Sequence, residues 1–121
     1  MEVFDPFKKQ IVETAQELVQ KGYLMATGVN LSLLIPGQDG FAITPSNYDY
    51  LKMTPDDFCV LDVNLNLLEG RLKPSVEAAM HAAVYQVRGD VNAIVHTHQV
   101  YTSALTLIKA PIPTLFDEQA R

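Results

Sequence analysis

Two histidines separated by one residue, His96 and His98, close the run Asn92-Ala93-Ile94-Val95-His96-Thr97-His98. The run is rich in β-formers, and alternate side chains of a strand share a face, so both imidazoles are expected on one side, roughly 6–7 Å apart. Two neutral ring nitrogens so placed can converge on one cation. A catalytic divalent metal usually takes three protein ligands and keeps one position open. Glu77 is the candidate for the third ligand, or for a general acid/base standing one shell further out. The plainer alternative is a pair of polar side chains on a solvated strand face. The chain's three histidines, His81, His96 and His98, nevertheless fall within eighteen positions of one another, which favours a gathered set.

Glu77 and His81 are spaced i and i+4, which puts them on one helix face; an intrahelical contact on a solvated face is the alternative. Gly28, Asn30, Ser46, Asn47 and Ser75 fall in turns or at helix starts. Backbone N–H groups and short polar side chains there can hold a phosphate or a carboxylate. Each taken alone is an ordinary turn residue, and their order ahead of Glu77 and the histidine pair is more informative than any one of them.

These residues need elements to position them. Asp5-Pro6 opens a first helix, with Asp5 as N-cap and proline where its missing N–H costs nothing. Phe7, Ile11, Ala15, Leu18 and Val19 recur at helical spacing, and Gly22 is the expected stop. Thr27-Gly28 turns into a strand running to Ile35, and Pro36-Gly37-Gln38-Asp39-Gly40 is a hairpin turn into a strand over 41–44. A polar loop, Thr44-Pro45-Ser46-Asn47, leads to a helical turn over 48–53. Strands are expected over 58–63 and 67–72, joined by Asn64-Leu65-Asn66. A helix follows over 74–87, with proline early and alanine frequent. Gly89-Asp90 breaks it before the histidine strand. A helix over 100–108, an extended break at Pro111-Ile112-Pro113 and a strand starting at Thr114-Leu115-Phe116 complete the pattern. Hairpins flanked by helices indicate an α+β fold, a sheet covered by helices.

Composition narrows the function classes. A chain of 121 residues is one domain at most. A net charge of −5, with nine dispersed basic residues, argues against nucleic acid as a partner. The single Cys59, in the apolar run Phe58-Cys59-Val60-Leu61, can make no intrachain disulfide and reads as a buried structural thiol in a reducing compartment. No run of 18 apolar residues occurs, and Met1-Glu2-Val3-Phe4-Asp5 has no basic segment leading into an apolar one. A cytoplasmic protein with no membrane partner is therefore expected.

The ordered set Thr27-Gly28-Val29-Asn30-Leu31-Ser32, Ile43-Thr44-Pro45-Ser46-Asn47, Lys73-Pro74-Ser75-Val76-Glu77 and Ala93-Ile94-Val95-His96-Thr97-His98 resembles the class II aldolase/adducin family, which includes L-fuculose phosphate aldolase and L-ribulose phosphate epimerase. The resemblance covers nearly the whole chain. It implies a three-layer α/β/α domain over 1–121 with a central, mainly antiparallel sheet, in a homo-oligomer that is typically a tetramer. His96 and His98 would be ligands of zinc or another divalent metal. Glu77 would contact that metal in the resting site and act as acid/base, and His81 would support the site from the second shell. Gly28, Asn30, Ser46, Asn47 and Ser75 would match the substrate pocket for a small sugar or sugar phosphate. The implied reaction is aldol-type cleavage of a ketose phosphate through a metal-stabilised enediolate. Epimerisation or dehydration on the same scaffold, or a non-catalytic adducin-like assembly module, are the alternatives. Val29, Asn47 and Val76 depart from the family's usual glycines and serine. The family's third zinc histidine lies well downstream of the H-x-H pair, and no histidine follows His98 here, so a C-terminally incomplete domain is expected.

Overall fold

A computed structural model describes residues 4–24 and 29–115, and its frame is five strands and three α-helices. Helix α1, Asp5–Gln20, begins one residue earlier than an Asp5 cap would require: Phe4 holds the N-cap position, and Asp5 and Pro6 already lie within the helix. Gly22, at φ +79°, takes the left-handed conformation that ends helices readily only at residues without a Cβ penalty.

Strands β1, Asn30–Leu34, and β2, Gly40–Ile43, form a hairpin, as do β3, Cys59–Asp62, and β4, Leu67–Glu69. In the second turn the Asp62 carboxylate accepts hydrogen bonds from the backbone N–H groups of Asn64 and Asn66 at 2.8 and 2.9 Å, which lets Leu65 adopt φ +68°. Strand β4 is shorter than the expected 67–72. At Gly70, φ is +126° and a side chain would meet the Phe58 carbonyl, so the strand cannot continue. Strand β5, Ala93–His96, lies on the other edge, giving the order β4-β3-β2-β1-β5 with every neighbouring pair antiparallel.

Both faces of the sheet are covered. Leu31, Ala42 and Val60 pack with Ile11, Val12 and Ala15 of α1, together with Tyr50, Met53 and Phe58. On the opposite face Phe41, Ile43, Cys59 and Leu61 meet Ala78, Ala82 and Tyr85 of helix α2, Ala78–Val87. The result is the expected α+β fold, with helices on both sides of an antiparallel sheet.

The expected helix over 74–87 loses its first turn, for a reason set by hydrogen bonding. Pro74 pairs with Pro45 in an isolated antiparallel bridge, and the Ser75 N–H donates to the Thr44 carbonyl at 3.1 Å. Residues in that ladder cannot also be helical, so α2 starts at Ala78 with Glu77 as its N-cap. Beyond β5, helix α3, Val100–Leu107, has no buried residue. The expected strand at Thr114-Leu115 is absent; Phe116 lies outside the described residues. Among the described residues no helix is long and apolar enough to cross a membrane.

Candidate functional site

Strand β1 carries two polar residues on the face that α2 covers. Asn30 and Ser32 alternate with Leu31 and Leu33, and the polar pair is buried against the helix instead of facing water. A buried polar group needs a partner, and α2 supplies two at i and i+4. His81 Nδ1 lies 2.6 Å from Ser32 Oγ, and the Tyr85 hydroxyl lies 2.7 Å from the same oxygen. His81 Nε2 is hydrogen-bonded to Asn30 Oδ1. The Tyr85 ring is held against Phe41 at a centroid distance of 5.4 Å.

The His81 imidazole is fully buried. Burial first, and the neighbouring His96 second, lower its pKa from 6.5 to about 4, so it is neutral near pH 7. Neither ring nitrogen is turned to a cation; both are engaged by β1.

From Asn30 the network reaches the histidine pair. Register places Asn30 opposite His96, and the Asn30 amide nitrogen lies 3.4 Å from His96 Nδ1. Strand β5 stops at His96, so His98 is not on the strand as the H-x-H reading required. The chain leaves the sheet at Thr97 on its way to α3, yet the two imidazoles still adjoin, with centroids 4.9 Å apart and planes tilted by 57°. Glu77 does not complete a cluster with them: among the described residues no three His, Cys, Asp or Glu side chains are gathered to hold a metal ion. The pair itself, two adjoining imidazoles of which His96 is half-buried and His98 exposed, is of the ligand type that a borderline cation such as zinc takes.

The residue after Asn30, Leu31, ties β1 to the polar loop. Leu31 N–H donates to Thr44 Oγ1 at 3.2 Å and the Thr44 N–H returns a bond to the Leu31 carbonyl at 3.1 Å. The Tyr50 hydroxyl braces the same corner, donating to the Val29 carbonyl. The Ser46 N–H donates to the Lys73 carbonyl at 2.9 Å. Ser75 Oγ accepts the Glu77 N–H at 3.2 Å, holding the entrance to α2. Ser75 is buried, Ser46 and Glu77 are half-buried and Asn47 is exposed, with Asn47 at φ +52°. Asparagine tolerates this left-handed backbone better than most residues. Of the expected pocket, Asn30 faces His96 and Ser75 holds the Glu77 N–H, with the Leu31 and Thr44 hydrogen bonds between them; Ser46 and Asn47 follow Thr44 in the loop, and Gly28 lies outside the described residues.

Residues 9–121 match the family model described as "Class II Aldolase and Adducin N-terminal domain". The chain belongs to that family. It is 38% identical over 107 residues to an L-fuculose phosphate aldolase of Escherichia coli O6:H1, a match covering 88% of this chain and 48% of that protein. It is 34% identical over 114 residues to the "Probable L-ribulose-5-phosphate 4-epimerase UlaF" of Mycoplasma pneumoniae, covering 93% and 47%. A solved L-fuculose 1-phosphate aldolase superposes with a TM-score of 0.84 at 35% identity, covering 90% of this chain and 51% of that one. The family member in hand therefore spans about half the length of the relatives it matches.

Ser32 and Thr44 stand within the motifs without an assigned role there, and Tyr85 is not singled out by them; all three belong to this hydrogen-bond network. Ser32 is two residues from Asn30 and Tyr85 four from His81, so strand and helix periodicity place each beside a residue already singled out.

Proposed function

We propose that this domain provides the metal-histidine edge and the anion pocket of an aldolase-type lyase that cleaves a small ketose phosphate. The carrying observation is one corner of the sheet: Asn30 faces His96 across the β1–β5 pair, the next residue, Leu31, exchanges hydrogen bonds with Thr44, and the Thr44 carbonyl accepts the N–H of Ser75, whose Oγ accepts the Glu77 N–H. A histidine pair, an anion-binding loop and a carboxylate thus share one end of the sheet.

Cleaving a C–C bond beside a hydroxyl requires that hydroxyl to give up a proton and the carbon released to gain one. Glu77, half-buried at the start of α2, is the carboxylate placed to accept the first proton and return the second. His96 and His98 would hold a divalent metal, zinc by their chemistry, whose charge when bound favours an oxyanion developing on the substrate. Asn30, Ser46, Asn47 and Ser75 would bind and orient the phosphate. Ser75 Oγ accepts from Glu77 N–H, so its own hydroxyl proton is directed elsewhere, as an anion donor requires. His81 keeps Asn30 in place. Epimerisation is the second reading, favoured by the similarity to the ribulose phosphate epimerase.

Elemental analysis of the purified chain beside a His96→Ala/His98→Ala double variant tests the metal edge. About one divalent ion per parent chain and none in the variant is expected. Two metal-free proteins after zinc is offered would overturn the reading. Ketose 1-phosphates and ketose 5-phosphates, offered in turn, then separate the reactions: an aldehyde is released by a lyase, and a stereoisomer of unchanged mass by an epimerase.

A further inference from the structure

The hydrogen bonds under α2 have a direction. The Tyr85 hydroxyl has Ser32 Oγ as its hydrogen-bond partner among the described residues, and a buried O–H without an acceptor is costly, so Tyr85 donates. Ser32 Oγ, having accepted, spends its one proton on His81 Nδ1. The His81 ring is sealed from water between a hydroxyl and an amide, and a neutral imidazole with a bare Nδ1 carries its proton on Nε2. That proton needs an acceptor, and in a carboxamide only the oxygen qualifies, which is the contact with Asn30 Oδ1. The amide nitrogen then faces the other way, toward His96 Nδ1 at 3.4 Å.

We infer that Tyr85, Ser32 and His81 form a one-way chain of positioning residues whose task is to hold the Asn30 carboxamide with its N–H side turned toward His96. The orientation decides what the site offers. Turned this way Asn30 presents a donor to an anionic oxygen; turned by half a rotation it would present a carbonyl oxygen that repels one. A histidine with no charge and no exposed nitrogen thereby acts on ligand binding at a distance. This rests on the proposed site for its function, though not for its direction.

Histidine tautomers can be read directly from two-bond ¹H–¹⁵N correlations of the ¹⁵N-labelled chain at pH 7. The expected result is His81 with a protonated Nε2 and a bare Nδ1. Tyr85→Phe keeps the ring against Phe41 and removes the donor that sets the direction, so a second His81 tautomer should become populated without loss of the folded spectrum. Affinity for inorganic phosphate should fall several-fold in Tyr85→Phe and in Ser32→Ala, and return toward the parent value in Ser32→Thr. A parent His81 protonated on Nδ1 overturns the inference, whether or not the variants fold. So does a Tyr85→Phe spectrum and phosphate affinity identical to the parent. A parent with the expected tautomer that binds no phosphate would instead overturn the functional reading on which the role depends, so the two failures are distinguishable.

Discussion

His81 Nε2 meets Asn30 Oδ1 across the contact between α2 and β1, where neither residue is more than 2% exposed. The pairing couples the site to the pH dependence of folding. His81 is held at about 4 when folded, against an ordinary 6.5, by burial and secondarily by His96. The unfolded chain therefore binds the proton more readily, and its contribution to stability is complete above pH 6.5 and lost as pH falls toward 4. A difference of 6.5 − 4, at about 1.4 kcal/mol per unit, corresponds to roughly 3 kcal/mol. Urea unfolding at pH 7, 5.5 and 4 should show this decline. His81→Gln should be less stable at pH 7 and show a flatter profile; parallel profiles for the two proteins would refute the assignment.

Glu77 caps α2 through its backbone, which no side-chain substitution removes, while its carboxylate carries the proposed proton transfer. Glu77→Gln should thus leave the unfolding midpoint within a degree or two of the parent and lower any lyase turnover by about 10²–10⁴-fold. Ser75→Ala should do something different: it removes the hydroxyl that accepts Glu77 N–H, at a cost of about 1 kcal/mol. Equal effects of the two variants on stability would show that the cap and the chemistry are not separated in this way.

At Asn47 the backbone, at φ +52°, decides which substitutions are tolerated. Asn47→Gly removes the Cβ and should be neutral or slightly stabilising, whereas Asn47→Ala keeps the Cβ but loses the short polar side chain that eases a left-handed backbone, at a cost of up to about 1 kcal/mol. Thermal unfolding of both variants measures the difference, and equal midpoints would mean the loop takes another conformation.

Much of this architecture was legible in the residues. Periodicity placed α1, the two hairpins and α2, and the motifs singled out Asn30, Ser46, Ser75 and Glu77 as residues of turns and helix starts, while their shared end of the sheet came only with the strand order and the Pro45–Pro74 bridge. What failed did so where a tertiary contact overrode local preference. Pro74 is a good helix start by type, yet the bridge to Pro45 holds it in a ladder. Strand alternation put His98 beside His96 on β5, whereas the strand ends first and the exit turn brings the rings together. Buried Ser32 went unread because a serine between two leucines looks like the wet side of a half-buried strand; only the covering helix makes it a core residue.

Cys59 matches its reading as a structural thiol. It is fully buried, its Sγ–H donates to the Leu72 carbonyl at 3.1 Å, and burial pushes its pKa up to about 11. Thiolate is the reactive form, so a disulfide reagent at pH 8 should label the native chain slowly and the urea-unfolded chain at once. Rapid labelling of the native state would place Cys59 at a surface.

Helix α3 presents the opposite situation, an apolar element that buries nothing. Val100, Tyr101 and Leu107 are 63%, 88% and 85% exposed, and Ile108 just beyond the helix is 72% exposed. Exposed apolar surface on this scale marks a contact face, and it adjoins the edge strand β5, whose outer backbone groups can pair with another chain. The 121-residue chain should accordingly self-associate at micromolar concentration in sedimentation velocity. A Val100→Ser/Leu107→Ser variant should shift it toward monomer with its unfolding midpoint retained, because neither side chain packs in either core cluster. If the parent is a monomer at 100-fold higher concentration, α3 is not an assembly face of this chain.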